Sequence, residues 1–122
     1  MVMNGRDGAE RIAEERRRQR GAEGYTEAHD DDHFHGELAL AAACYAAPCR
    51  IFKMRDVGHG YNFRDPWPWD SEDDKRPLAQ DPTIDERVRV LEKAGALIAA
   101  EIDRLLREQV RVESATPKVP AP

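Results

Sequence analysis

From Ile84 to Leu105 the residues Ile84, Val88, Leu91, Gly95, Ile98, Ile102 and Leu105 follow one another at intervals of 4-3-4-3-4-3. That spacing keeps one side of an α-helix apolar along its length and demands a partner helix. Thr83 and Glu86 frame its start as a capping box, with the hydroxyl and the carboxylate each satisfying the other's backbone N–H. Ala94, Gly95, Ala96, Ala99 and Ala100 make its middle slim. A glycine inside a helix costs about 1 kcal/mol relative to alanine, so Gly95 points to close packing.

The natural partner is a second helix over Phe34–Ala47, in which Leu38 to Ala47 leave no polar face. A helix apolar all round is a buried helix, and Pro48 stops it. Ahead of it, Gly8–Ala22 is rich in Ala, Glu, Arg and Gln, with Glu14 and Arg18 spaced for an i,i+4 pair. Its thin apolar content, Ala9, Ile12 and Ala13, covers a core without building one. Tyr25–His35 reads as a polar connection in which Asp31 or Asp32 caps the apolar helix. Ile51, Phe52, Met54 and Val57, then Gly58-His59-Gly60, then Tyr61 and Phe63 predict a β-hairpin that leans on the helices. In Asp65-Pro66-Trp67-Pro68-Trp69-Asp70 the prolines impose an extended, stiff segment, and Ser71–Asp81 reads as a polar loop. The fold class is therefore mainly α: a three-helix core with a small β-hairpin and an extended Trp-Pro segment. Residues 1–7 read as a disordered start, 8–110 as a single helical domain, and 111–122 as a flexible tail once the seam is lost near Val110.

Composition narrows the function. A net charge of -5 and a pI near 5.4 argue against a dedicated DNA-binding surface. A mean hydropathy of -0.78 and the absence of any apolar run of about 20 residues argue against a membrane span. The charged N-terminus has no signal-peptide core. Cys44 and Cys49 then read as reduced thiols of a cytoplasmic protein, and one C-x4-C pair is a poor zinc signature.

The residues with chemistry form three groups. His29, Asp30, Asp31, Asp32, His33 and His35 crowd seven positions. His29, Asp30 and Asp31, joined by Glu37 and Glu101, offer nitrogen and oxygen ligands suited to Mg²⁺ or Mn²⁺; a solvated helix entry with an aspartate cap is the simpler account. Glu37 and Glu101 are carboxylates on apolar helix faces, and buried carboxylates need partners: either a shared metal, as facing helices provide in bundles, or salt bridges to Arg16, Lys93 or Arg104. Arg16, Arg18 and Lys93 suit phosphate, or make a solvated charged face. Trp67 and Trp69 suit stacking on a base, or seal a small core. No P-loop, G-x-S-x-G, paired CxxC or HExxH is present.

Glu15-Arg16, Arg18-Gln19, Glu23-Gly24-Tyr25-Thr26, His29-Asp30-Asp31, Gly36-Glu37-Leu38, Ala42-Ala43, Tyr45, Asp65–Asp70 and Lys93–Leu105 together resemble a group of small phage and prophage proteins over roughly residues 10–107. The resemblance implies a phage or prophage origin and action in the host cytoplasm. A weaker likeness is to MazG-type helical nucleoside-triphosphate pyrophosphatases, which hold Mg²⁺ with acids on packed helices; Glu37 and Glu101 are the comparable carboxylates, and the paired E-E-x-x-E and E-x-x-D pattern is absent. The function expected is a phage-type accessory protein that binds a phosphate-bearing, nucleotide-like ligand, metal-dependent through Mg²⁺ or Mn²⁺, with sequestration and hydrolysis both open. The alternative is a protein-binding inhibitor of a host defence or metabolic protein. Neither a membrane nor sequence-specific nucleic acid is an expected partner; a homo-oligomer through the heptad seam is a third option.

Overall fold

The computed structural model describes residues 6–78 and 81–115. Its regular elements are α1 (Gly8–Gly21), α2 (Glu27–Asp31), α3 (Glu37–Ala46), β1 (Lys53–Asp56), β2 (Tyr61–Arg64) and α4 (Ile84–Ala115), with a 3-10 turn at Ser71–Asp73. The chain is mainly helical with one antiparallel hairpin, as its periodicities predict. Among the described residues no helix is long and apolar enough to cross a membrane.

α4 is the spine, 32 residues and about 48 Å long at 1.5 Å per residue. The capping box forms as predicted. Thr83 Oγ1 accepts from the Glu86 N–H at 3.1 Å, and Glu86 Oε1 accepts from the Thr83 N–H at 2.9 Å. α3 packs along α4, as its composition predicts, with α1 and α2 beside it. The core joins Leu38, Ala41, Ala42 and Tyr45 of α3 to Val90, Ala94, Leu97 and Ala100 of α4. So many alanines let the helix axes approach closely, which spreads a small core over a long contact.

The face of α4 that packs is not the 4-3 seam. Ile84, Leu91, Ile98, Ile102 and Leu105 are 43% to 82% exposed, while Val90, Ala94, Leu97, Ala100, Glu101 and Arg104 are buried. α4 carries two apolar stripes, and the short, alanine-faced α3 seats on the slim one. Gly95 does mark a close approach, but to α1 rather than α3: a Cβ there would lie 2.5 Å from Ile12 Cδ1.

Four further expectations are corrected. Residues 27–31, read as connection, form α2, because the Thr26 side chain accepts from the His29 N–H at 3.2 Å and caps it. The apolar helix starts at Glu37, not Phe34. Its cap position is Gly36 at φ 83°, with no side-chain cap from Asp31 or Asp32; the Glu37 carboxylate instead accepts the His35 N–H. Nor is α3 buried all round, since Ala39, Leu40 and Ala43 are exposed. The hairpin makes no substantial contact with any described helix. Every residue of β1 and β2 is exposed; the Met54–Phe63 cross-strand pair gives its side chains their apolar contact.

Residues 111–115, expected in the tail, continue α4. The remaining terminal expectations, at 1–5 and 116–122, lie outside the described residues. Arg18 pairs with Glu15 and Glu23 rather than with Glu14, whose partner is Arg6. Both cysteines are free: Cys44 is buried, with its thiol pushed up by burial, and Cys49 is exposed.

Candidate functional site

The single turn of α2 sets Tyr25, His29 and His33 four residues apart, so their rings rise one above another. Tyr25 and His29 stack at 4.5 Å between centroids with 6° between planes, and His33 follows His29 at 4.8 Å. The Trp-Pro segment supplies the rest of the ladder. His33 meets Trp69 at 5.2 Å, Trp69 meets Trp67 edge-on at 5.6 Å, and Trp67 meets Tyr45 at 5.3 Å.

Six rings thus run continuously from the α1–α2 corner to α3. Hydrogen bonds hold the segment in place: the Trp67 backbone N–H donates to Asp65 at 3.0 Å, and Trp67 Nε1 donates to the Asp70 carbonyl at 3.0 Å. Arg76 lies 5.4 Å from the Trp67 ring centroid, clamped by Asp65 at 2.8 Å and Asp74 at 2.7 Å.

These rings wall a cleft of about 470 Å³ bounded by Tyr25, His29, His33, Pro68, Trp69, Asp70 and Asp73. It shares Tyr25, Trp69 and Asp73 with a narrow slot of about 40 Å³ that adds Arg18, Gln19, Glu23, Tyr45, Trp67, Lys75, Lys93 and Leu97. Two buried atoms on these walls, Trp69 Nε1 and Gln19 Oε1, have no hydrogen-bond partner among the described residues. One is a donor and the other an acceptor. His29 Nδ1 lies 3.0 Å from Asp30 Oδ1, and His33 Nδ1 lies 3.1 Å from Glu37 Oε2. A carboxylate oxygen only accepts, so Nδ1 is the donor in each pair.

Beneath the slot lies the most connected carboxylate among the described residues. Glu15 bonds Arg18 at 2.6 Å and Arg89 at 2.8 Å, with Lys93 Nζ at 3.7 Å. Burial raises its carboxyl, but the hydrogen bonds from Arg18 and Arg89 and the Lys93 charge outweigh burial and bring it down to about 2. Lys93 moves down, mainly through burial and then through Arg89. Tyr45 is pushed up to about 12 by burial.

Four of the five residues singled out as ligand contacts, Arg18, Lys93, Trp67 and Trp69, line this slot. Arg16 does not: it faces Asp30 at 3.4 Å and Asp103 at 3.5 Å on the other side of α1. The residues singled out for a metal are dispersed among separate partners. Asp30 takes Arg16 and His29, Asp31 takes Arg107 at 2.9 Å, Glu37 takes His33, and Glu101 takes Arg104 at 2.6 Å. The last of these is the salt bridge expected as the simpler account. Among the described residues no group of three or more His, Cys, Asp or Glu side chains is placed to hold a metal.

Sequence reasoning placed His33 in the His/Asp cluster and missed Tyr25, Gln19, Asp73 and Lys75. The i, i+4, i+8 spacing of Tyr25, His29 and His33 was visible, and a helix at 27–31 would have turned it into a ring ladder. A larger cleft of about 600 Å³ opens at the end of α3 between Arg50, Arg76 and Arg87. All three arginines are engaged, Arg87 by the Ala46 and Ala47 carbonyls and Arg50 and Arg76 by Asp65 and Asp74. No family model, curated protein or solved structure matches the chain.

Proposed function

We propose that the chain is a phage-type accessory protein that binds a phosphate-bearing, nucleotide-like ligand in the aromatic cleft. The observation that carries this reading is the six-ring wall, which runs into a slot edged by Arg18, Lys75 and Lys93. Every base has a π face, and stacking on an aromatic side chain contributes about 1–3 kcal/mol. The unpaired Trp69 Nε1 and Gln19 Oε1 match the acceptor and donor edges of a base. Asp70 and Asp73 suit exocyclic amines. Three cations set against Glu23, Asp70 and Asp73 suit one phosphate better than three. The reading is of binding, and sequestration is its simplest consequence.

Trp67 and Trp69 are the two tryptophans of the chain and both line the site, so intrinsic fluorescence reports it directly. Nucleoside monophosphates should quench it saturably. Trp69→Ala should abolish the response, and Lys93→Ala should weaken monophosphates while sparing nucleosides. No response from any nucleotide up to about 1 mM, a binding free energy of only about 4 kcal/mol, would overturn the proposal.

The hairpin favours a second reading, a protein-binding inhibitor. Met54, Tyr61 and Phe63 are 59% to 61% exposed on an element that no described helix covers, and exposed apolar clusters mark interaction sites. There, Met54→Ser/Phe63→Ser would abolish capture of a host protein and leave nucleotide quenching intact.

A further inference from the structure

Two strands alone are marginal, and a hairpin gains stability from a third strand or a covering helix. No described helix covers β1 and β2. Side chains directly opposite in an antiparallel ladder share a face, and neighbours along a strand alternate. The register Lys53–Arg64, Met54–Phe63, Arg55–Asn62 and Asp56–Tyr61 therefore makes a two-faced ribbon. One face carries Met54, Tyr61 and Phe63, the other Lys53, Arg55, Asn62 and Arg64.

The basic face is unbalanced. Lys53 stands directly opposite Arg64, an arrangement that costs stability, and Lys53, Arg55 and Arg64 have no carboxylate partner among the described residues. Arg11, Arg18, Arg89 and Arg107 of the helices, by contrast, each hold a carboxylate. The edge of β1 is open too. Bonded and unbonded pairs alternate along an antiparallel ladder, and the Val57 N–H donates to the Gly60 carbonyl at 3.0 Å. Arg55–Asn62 and Lys53–Arg64 are then the bonded pairs, and the backbone N–H and C=O of Met54 and Asp56 turn outward. These outward groups have no partner among the described residues.

We infer that the outer edge of β1 takes an extended segment of a partner protein as a third strand, one whose side chains alternate between acidic and apolar. The inference rests on the protein-binding reading of the hairpin and names the partner's chemistry. Alternation answers both faces: acidic side chains beside Lys53 and Arg55 on one, an apolar side chain beside Met54 on the other. Backbone bonds to Met54 and Asp56 supply affinity, and the alternating side chains supply selection. The same cations repel a basic strand, and with it the hairpin of a second copy, which closes the edge to self-pairing. A nucleic-acid strand fits worse, because the cations for its phosphates lie on one face and the rings for its bases, Tyr61 and Phe63, on the other.

Titration of the full chain with a synthetic peptide of alternating glutamate and valine, about six residues long, tests this. Amide exchange should slow at Met54 and Asp56 and stay unchanged at Tyr61 and Phe63. Lys53→Glu/Arg55→Glu should weaken this peptide by about 10-fold or more and admit a lysine–valine peptide that the wild type rejects. Both side chains are exposed, so helix content should not change. No binding of the glutamate–valine peptide up to about 1 mM, the weak end of the affinity scale, would overturn the inference. So would equal binding of the two peptides, or protection at Tyr61 and Phe63 instead. Binding of a single-stranded oligonucleotide in place of the peptide would assign the basic face to nucleic acid. If Lys53→Glu/Arg55→Glu still captures a host protein that Met54→Ser/Phe63→Ser loses, the acidic strand falls and the protein-binding reading of the hairpin stands.

Discussion

Replacing Glu15 by Gln removes the one negative charge that Arg18, Arg89 and Lys93 share while keeping the side-chain shape. The folded carboxyl stands at about 2 against an ordinary 4.5. At about 1.4 kcal/mol per pH unit that difference corresponds to about 3 kcal/mol. The side chain is 2% exposed, so solvent screens it little, whereas Arg18 and Arg89 are 36% and 41% exposed and can turn to water. The expected loss is therefore about 2–3 kcal/mol, below the 3–5 typical of a fully buried pair. With about 2 cal/mol/K of unfolding entropy per residue, 3 kcal/mol lowers the Tm by about 12 °C.

The sign with pH follows from a depressed carboxyl. The contribution is complete above the unfolded value and is lost as pH falls from about 4.5 towards about 2. Asp65, Asp74, Glu23 and Glu37 are also held below their ordinary values, so the quantity to measure is a difference. Urea unfolding of wild type and Glu15→Gln, followed by circular dichroism from pH 7 to pH 2, should give a gap of about 2–3 kcal/mol at pH 7 that closes towards pH 2. A gap below about 1 kcal/mol at pH 7, or one that persists at pH 2, would refute the assignment of Glu15 as the hub of this network.

Gly95→Ala should destabilise by about 1–2 kcal/mol although alanine is the better helix former, because the new Cβ falls 2.5 Å from Ile12. In an Ile12→Ala background the same change should stabilise by about 0.5–1 kcal/mol, and thermal melts of the four proteins read the reversal of sign. Tyr45→Phe removes the hydroxyl that accepts from the Lys75 N–H at 3.1 Å and donates to the Asp73 carbonyl at 3.4 Å. It should cost about 1–2 kcal/mol by leaving a backbone donor unpaired and speed amide exchange at Lys75.

What was legible in the chain is what repeats locally. The capping box at Thr83 and Glu86, the helix stop before Pro48, the hairpin around Gly58-His59-Gly60 and the stiffness of Pro66 and Pro68 each depend on neighbours a few residues away. Site residues were half legible for the same reason. Trp67, Trp69, Arg18 and Lys93 stand out by type, but Tyr25, Gln19 and Asp73 have ordinary identities and gain meaning only from where α1, α2 and the 3-10 turn bring them. His29, Asp30 and Asp31 looked like a metal set because they are adjacent in sequence. In three dimensions Asp30 holds the His29 ring and meets Arg16 of α1, while Asp31 turns away to Arg107 of α4.

Amino-acid order alone determined that α4 is long, amphipathic and slim at its centre, and that the Ala-rich helix packs on it. Only the tertiary structure decided which of its stripes is covered. Periodicity reports that a stripe exists; it carries no information on which neighbour is small enough to seat there. Alanines on α3 chose the face of Ala94, Leu97 and Ala100, Ile12 chose Gly95, and the row through Ile98 was left facing solvent.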